Sequence, residues 1–215
     1  MFSKIFPKIH AEGYKFLVIS VVITIILYSF SNFFGLIGFV LTIWVYYFFR
    51  DPERITIEND SYLISPADGE VIKVEEVDGP KELNLESKRF KKISIFMNVF
   101  DCHVNRSPCG GKIEEILYKP GKFFNASLDK ASEDNERNYY KIKDYQNNNV
   151  ILVQIAGLVA RRIVCESNKD QELKQGDRIG MIRFGSRADV YYENYEPLVK
   201  VGQKAIAGET LIAKK

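Results

Sequence analysis

The first fifty residues differ from the rest of the chain in their hydrophobic pattern. No charged residue occurs between positions 16 and 49. A bilayer core needs about 20 apolar residues per helix, so this run is too long for one span and short for two. A polar break at residues 29–32 divides it into two segments, 16–28 and 33–49, and neither has the polar stripe of a soluble amphipathic helix. The pattern predicts an N-terminal α-helical membrane hairpin over residues 1–50.

Basic residues lie on both sides of the apolar run. Lys4, Lys8 and Lys15 precede it, and Arg50 and Arg54 follow it, which places both ends of the hairpin on the cytoplasmic side of the cell membrane. A cleaved signal peptide is disfavoured, because the run is too long and no small-residue cleavage site follows it. A buried helix pair in a soluble protein is the remaining alternative. Whether the hairpin spans the bilayer or lies in one leaflet stays open.

After residue 52 the chain changes to mixed charge with short β-type runs. The run at 150–156 is almost continuously apolar, which is typical of a strand buried on both faces. Turn-forming residues separate the runs, and no long helical periodicity occurs. The pattern predicts a mostly β domain over residues 51–215. The predicted strands are residues 62–65, 70–77, 92–97, 112–117, 139–142, 150–156, 159–165 and 178–183.

Two segments of this domain, 67–73 and 199–212, have the spacing of glycine and apolar residues found in biotinyl and lipoyl carrier domains. Those carriers need a modified lysine at a hairpin tip, and no Met-Lys-Met triplet occurs here. The similarity therefore indicates a sandwich-like, barrel-sandwich-hybrid-like fold rather than a carrier function.

Composition limits the remaining classes of function. The net charge is only +2, so there is no electrostatic case for nucleic acid as a partner. Three cysteines without CxxC spacing and two histidines favour neither a metal site nor a disulfide framework. No metal is expected.

The pair Gly185-Ser186, between two β-rich runs, is the main candidate for chemistry. Glycine tolerates backbone geometry that other residues avoid, so its carbonyl can be held in a strained, exposed turn. The Ser186 hydroxyl could attack this carbonyl and convert the amide to an ester. β-Elimination and hydrolysis would then leave an N-terminal pyruvoyl group, an electron sink made from the backbone. Taken alone, a Gly-Ser dipeptide is common and is far more often part of an ordinary hairpin turn.

Four further residues carry ionisable groups of interest. Asp68 lies in a Ser-Pro-Ala-Asp-Gly turn, where it could simply cap its own turn. His103 is the one histidine outside the N-terminal segment, and it could move protons near neutral pH or be a core residue. The pair Arg161-Arg162 could meet a phosphate or carboxylate with one of its two side chains, since neighbours on a strand point to opposite faces. An ordinary surface pair is the alternative reading.

Several longer motifs resemble the phosphatidylserine decarboxylases, most closely their short form. The resemblance runs in unbroken order from about residue 49 to the C-terminus. The motifs are FRDPER at 49–54, SPADG at 65–69, FMNVFDCHVNRSP at 96–108, NASLDKASEDNER at 125–137, QIAGLVARR at 154–162, and FGS at 184–186 with GMIR before it and DVY after it.

The resemblance implies a proenzyme that cuts itself between Gly185 and Ser186. The fragments 1–185 and 186–215 would stay associated as a heterodimer, and former Ser186 would carry the pyruvate-derived cofactor. Phosphatidylserine in the bilayer would be decarboxylated through a Schiff base to phosphatidylethanolamine and CO₂, a step of phospholipid biosynthesis. The family places an Asp, a His and this Ser in a relay, and the matching positions are Asp68, His103 and Ser186.

The sequence departs from the longer relatives at one point. They carry two histidines three residues apart in the loop of His103, and the downstream position is Arg106 here. Either His103 serves both proton transfers, or self-cleavage is arranged differently in the short form. The polar segment 125–137, with Asn125 and Lys130, would close over the lipid head group, and Arg161 or Arg162 would bind it.

Three alternatives are kept. A soluble pyruvoyl enzyme acting on a free amino acid would share the Gly-Ser chemistry but would not need residues 16–49. A decarboxylase of an ether-linked, archaetidylserine-like lipid would use the same chemistry. A membrane-anchored carrier or binding module would keep the sandwich fold without cleavage. Acyl-chain preference and a higher homo-oligomeric state are left open.

Overall fold

The structure is a computed structural model that describes residues 6–122, 126, 134–157, 162–183 and 186–215. Its contacts divide the chain into two compact units, Met1–Glu53 and Arg54–Lys215.

The first unit is an apolar helical hairpin. Helix α1 (Gly13–Phe30) and helix α2 (Asn32–Phe48) are separated by Ser31 alone, which is extended and whose side chain accepts the Phe33 N–H at 3.2 Å. This serine is an N-cap, so the polar break in the sequence starts the second helix. Strands β1 (Lys8–Ile9) and β2 (Arg50–Asp51) pair antiparallel and join the two ends of the hairpin.

Small residues let the two helices pack closely. A Cβ atom at Gly35 would lie 2.4 Å from the Tyr28 ring, and the hydroxyls of Thr24 and Thr42 are 2.9 Å apart across the helix pair. Most large apolar side chains of both helices are exposed within the unit. Among the described residues, α1 is the helix that is long and apolar enough to cross a membrane, and α2 is an apolar helix just under that length. The predicted apolar hairpin is confirmed.

The second unit is built from strands. The strands are β3 (Tyr62–Ile64), β4 (Gly69–Asp78), β5 (Arg89–Met97), β6 (Val104–Arg106), β7 (Gly111–Lys119), β8 (Arg137–Asp144), β9 (Asn149–Ala156), β10 (Ile163–Cys165), β11 (Glu172–Leu173), β12 (Arg178–Ile182), β13 (Ser186–Tyr192), β14 (Glu196–Pro197), β15 (Lys204–Ala205) and β16 (Leu211–Lys214). A short 3₁₀ turn, Lys81–Leu83, lies between β4 and β5. Five of the predicted strands recur with longer bounds, whereas those predicted at 62–65 and 178–183 each end one residue earlier. The 159–165 run is a strand at 163–165, and 159–161 lie outside the described residues.

The strands form three antiparallel sheets around a common core. The largest has the order β11-β7-β8-β9-β13-β5-β4-β15, and the two smaller ones are β10-β12-β6 and β14-β16-β3. Side chains from all three sheets meet in one buried cluster, which includes Ile95, Leu152, Ile179 and Ile212. A core enclosed between sheets is what a sandwich-like fold requires. The predicted mostly β, sandwich-like class is confirmed.

Strand β9 explains why its sequence is apolar at nearly every position. It lies inside the large sheet, between β8 and β13, and all of its residues are buried. Val150 and Leu152 face the main core, while Ile151 and Val153 pack in a second cluster on the opposite face of the sheet. Each face of the strand is therefore covered, as the run at 150–156 predicted.

The turn between β8 and β9 depends on Asp144. This carboxylate accepts the Gln146 and Asn148 backbone N–H groups at 2.9 and 2.7 Å, the Asn148 side-chain amide at 2.8 Å and the Tyr195 hydroxyl at 2.7 Å. Burial alone raises the pKa of Asp144, but these hydrogen bonds and the charge of Lys215 outweigh burial, so the pKa is below its usual value.

We expect Asp144→Asn to lower the free energy of unfolding at pH 7 by about 2 kcal/mol, because hydrogen bonds to a charged acceptor are lost. A carboxyl group with a depressed pKa in the folded state stabilises above its unfolded pKa of about 4, and this contribution disappears as the pH falls through the folded pKa. Urea denaturation at pH 7 and near pH 3 should show the difference between wild type and variant shrinking in acid. Asp170→Asn, which removes a solvent-exposed partner of Lys112, is the control and should change stability little. An equal loss at both pH values would contradict this account.

Candidate active site

Ser186 is the first residue of β13, in the middle of the large sheet. It pairs with Met97 of β5 on one side and with Ala156 of β9 on the other. Residues directly opposite each other in antiparallel strands share a face of the sheet, so these three side chains point together into the main core. Ser186 is completely buried.

The hydroxyl of Ser186 donates to a weak acceptor. Its Oγ lies 3.7 Å from the Met97 Sδ atom, and a thioether sulfur is a poor hydrogen-bond acceptor. Such a contact stabilises a buried hydroxyl less than a carbonyl or carboxylate would. The backbone pairing therefore fixes the position of the Ser186 Cα atom, whereas its hydroxyl is oriented by this weak contact and loses little free energy when the contact breaks.

His103 lies on the segment that leads into β6 and is also fully buried. Its carbonyl accepts the Ile182 N–H at 3.2 Å, which ties it to the end of β12, the strand that precedes the Gly185-Ser186 pair. Its Nδ1 atom lies 3.0 Å from the Asp101 carbonyl oxygen, which can only accept. In the neutral ring Nδ1 therefore carries the hydrogen and Nε2 carries the lone pair, the tautomer that a general base requires.

Asp68 lies in the turn before β4 and bonds to groups outside that turn. Its two oxygens accept from Arg54 Nη2 at 2.9 and 2.7 Å, and Oδ1 also accepts the Ala207 N–H at 2.8 Å. The reading of Asp68 as a residue that caps its own turn is therefore wrong. None of these hydrogen bonds goes to His103 or Ser186, so the three-residue relay stays a prediction.

The glycine after Asp68 allows the turn to approach the neighbouring strand. Gly69 has φ +155°, and a Cβ atom there would lie 2.1 Å from the Phe96 carbonyl oxygen. A side chain at this position would clash with backbone that cannot move away. The glycine therefore brings Asp68 close to the end of β5, one residue before Met97.

Arg106, which occupies the position of the second histidine of longer relatives, is turned away from Ser186. Its Nη1 donates to the Gly176 carbonyl at 2.9 Å, and the side chain is buried. The side chain before it, Asn105, points to the other side of β6 and contacts Met97. Successive residues on a strand face opposite ways, so Asn105 rather than Arg106 is the β6 side chain on the side of Met97 and Ser186.

The opposite face of β13 carries a buried ion pair. Arg187 Nε lies 2.8 Å from Asp189 Oδ1 and Arg187 Nη2 lies 2.9 Å from Asp189 Oδ2, with both side chains about 1% exposed. Arg187 Nη1 also donates to the Ala126 carbonyl at 3.3 Å. A buried charge without its partner is costly, so this pair fixes which face of β13 points away from the main core.

Of the residues expected to bind substrate, Arg162 is described. Its side chain is exposed, and its carbonyl accepts the Arg183 N–H at 3.2 Å, close to the end of β12. Arg162 therefore lies beside the segment that leads to Ser186. Four predicted site residues, Gly185, Asn125, Lys130 and Arg161, lie outside the described residues.

Comparison with known proteins identifies the family. The model of a family described as phosphatidylserine decarboxylase matches residues 41–213. The chain belongs to the phosphatidylserine decarboxylase family.

Similar proteins match over nearly the whole length of the chain. A phosphatidylserine decarboxylase proenzyme of Pelagibacter ubique is 76% identical over 215 residues, covering all of both chains. The proteins of the same name from Ruegeria pomeroyi and Cereibacter sphaeroides are 54% and 50% identical, covering 95% and 99% of this chain and 94% and 92% of their own lengths. The predicted family is confirmed, and with it the assignment of the chain as a decarboxylase-family enzyme.

Proposed function

We propose that this chain is the proenzyme of a decarboxylase that converts phosphatidylserine to phosphatidylethanolamine and CO₂, after cutting its own backbone between Gly185 and Ser186. The single observation that carries the proposal is the position of Ser186: a buried serine on a paired strand, with its hydroxyl on a weak acceptor, directly after the Gly185 carbonyl. The relatives named as decarboxylase proenzymes support it.

In the proposed cleavage, the Ser186 oxygen attacks the Gly185 carbonyl carbon while a base takes the hydroxyl proton. The C–N bond breaks and the acyl group moves to oxygen, giving an ester and an amine. Removal of the Ser186 Cα proton then breaks the Cβ–Oγ bond, so Gly185 leaves as a carboxylate that keeps the serine oxygen. Water hydrolyses the remaining dehydroalanine and releases ammonia, leaving a pyruvoyl group. His103, with its lone pair on Nε2, is the proposed base.

The surroundings of Ser186 suit this product. A pyruvoyl group has a methyl where serine has a hydroxymethyl, and the side chains on the same face of the sheet, Met97 and Ala156, are apolar. A methyl needs no hydrogen-bond partner, so removing the hydroxyl leaves no strong acceptor unsatisfied. A pyruvoyl ketone supplies a sink for the electron pair released when the substrate loses CO₂.

The strand order explains how the fragments 1–185 and 186–215 would stay together. In the large sheet, β13 is hydrogen-bonded between β5 and β9, and β15 pairs with β4. In a smaller sheet, β16 pairs with β3. The small fragment therefore contributes strands to two sheets whose other strands come from the large one. Breaking one peptide bond leaves all of these pairings in place.

We further propose that α1 and α2 attach the enzyme to the cell membrane, with Arg54–Lys215 on the cytoplasmic side. The apolar hairpin and its basic flanks support this placement. An enzyme that acts on a membrane lipid needs to be at the bilayer surface, whereas an enzyme that acts on a free amino acid does not. Degradation of Arg54–Lys215 by protease added outside intact cells would contradict the orientation.

Ser186→Ala should stay uncut, while the wild-type chain yields two fragments that meet at Gly185/Ser186. The smaller wild-type fragment should be lighter by one ammonia than a peptide with N-terminal serine and should be blocked to Edman degradation. Because the Ser186 hydroxyl donates to a thioether, which is a weak acceptor, the alanine variant should fold normally, with a stability change of under about 1 kcal/mol. Intact-mass spectrometry and thermal melting test both points. An uncut wild-type chain would favour the membrane-anchored binding module.

The substrate class can be tested on the cut enzyme in vesicles. We expect CO₂ release from phosphatidylserine labelled at the serine carboxyl carbon, and none from free serine, since the hairpin serves a membrane substrate. An ether-linked serine lipid in parallel vesicles tests the closest alternative. Faster turnover of the ether lipid would replace the proposed substrate, and turnover of free serine at the same rate would contradict a lipid-specific enzyme.

A further inference from the structure

Behind Ser186 lies a chain of buried polar side chains that the proposed mechanism does not use. It consists of Asn105, Gln154 and Tyr140, all of them inaccessible to solvent. Gln154 Nε2 donates to Asn105 Oδ1 at 2.8 Å, and the Tyr140 hydroxyl lies 3.1 Å from Gln154 Oε1 and 3.0 Å from the Ile179 carbonyl oxygen. Polar groups buried in an otherwise apolar core are costly unless every partner is in place, so this chain has a defined geometry.

The orientation of the Asn105 amide follows from its neighbours. Its Nδ2 atom lies 3.3 Å from the Pro66 carbonyl oxygen, which can only accept, so the amide nitrogen must face Pro66. The amide oxygen then faces Gln154, which must present its own nitrogen. The Gln154 oxygen then faces the Tyr140 hydroxyl, whose single hydrogen is shared between this oxygen and the Ile179 carbonyl. The contacts therefore fix one orientation for each of the two amides.

Asn105 joins the three parts of the candidate site. Pro66 belongs to the turn that carries Asp68, and its carbonyl also accepts the Arg106 N–H at 2.9 Å. The same Asn105 Nδ2 atom lies 3.6 Å from Met97 Sδ, the atom to which the Ser186 hydroxyl donates. Asn105 also follows His103 by two residues. Gln154, its other partner, lies on β9 opposite Ala188, two residues beyond Ser186 on the same face.

We propose that Asn105 is a positioning residue for self-cleavage: through Met97 and Pro66 it sets the place of the Ser186 hydroxyl relative to the turn of Asp68 and the segment of His103. This inference rests on the proposed self-cleavage. The inference further states that neutral amide side chains hold the geometry of the reaction. Asn105 lies in the segment where the longer relatives carry a second histidine.

The Met97 sulfur accepts from one N–H donor, Asn105, and from one O–H donor, Ser186. This shared sulfur is the physical link between the two residues. A methionine side chain is flexible, so without a fixed neighbour its sulfur could adopt other positions in the core. Asn105 Nδ2 and Ser186 Oγ both contact that sulfur, at 3.6 and 3.7 Å. Displacing a reacting group by about 1 Å can slow a reaction by about two orders of magnitude, so loss of this contact should be visible in the rate of cleavage.

The test measures the rate at which newly synthesised full-length chain is cut, in cell-free translation with membrane vesicles at controlled pH. Asn105→Ala should slow cleavage by at least about tenfold. The matched control is Asn149→Ala, which removes another buried asparagine, one whose Nδ2 donates to Glu193 at 2.6 Å. Asn149 lies at the far end of β9, roughly 20 Å from the position opposite Ser186. It should leave the rate within about twofold even if stability falls, because the site itself is unchanged.

Asn105→Asp provides a readout that a general loss of stability would not give. An ionised carboxylate would face the Pro66 carbonyl, whereas a protonated one can donate to it as the amide does. Burial raises the pKa of an introduced carboxyl group, so the cleavage rate of this variant relative to wild type should rise as the pH falls from about 8 to about 5.5. A ratio that is constant with pH, or Asn105→Ala cleaving as fast as Asn149→Ala, would overturn the positioning role. A wild-type chain that is never cut would instead overturn the proposed function itself.

Discussion

The double-sided pairing of β13 is the constraint on which the candidate site depends. Ser186 begins this strand, and from Ser186 to Tyr192 each residue has a partner on β5 and another on β9. A residue at the start of such a strand has little freedom to move, so the carbonyl of the preceding Gly185 is joined to a fixed point. Holding a nucleophile next to the bond that it would attack reduces the entropy lost on reaching the transition state, which speeds the reaction.

The alternation of side chains on β13 protects this arrangement. Ser186, Ala188 and Val190 face the main core, whereas Arg187 and Asp189 form an ion pair on the opposite face. A shift of one residue would carry the two charges into the apolar core and Ser186 out of it. The ion pair can have this effect even if it adds little to the free energy of unfolding. It makes a pairing of β13 that is shifted by one residue unfavourable, which keeps Ser186 beside Met97.

The sequence predicts those parts of the structure that local pattern controls. The apolar runs predict the hairpin, the continuous hydrophobicity of 150–156 predicts a strand covered on both faces, and the family motifs point to Ser186, His103 and Asp68. It does not predict what depends on long-range pairing. Arg54 binds Asp68 across a loop, and Asn105 lies on a three-residue strand that is held by its pairing with β12 and by the Pro66 carbonyl. The sequence also does not show that Arg187 and Asp189 form a buried ion pair, because a single sequence does not reveal what covers the second face of the sheet.

The central claim is that the Ser186 oxygen itself breaks the chain. It is tested most directly by synthesising the protein with ¹⁸O in the serine hydroxyls and isolating the C-terminal peptide of the large fragment. Trypsin cutting after Arg183 releases Phe184-Gly185, which contains no serine. Attack by Ser186 followed by elimination leaves the serine oxygen on Gly185, so this dipeptide should carry one ¹⁸O atom in its carboxylate. A cut that yields the dipeptide without ¹⁸O would mean that water or a protease broke the bond, and would contradict the account.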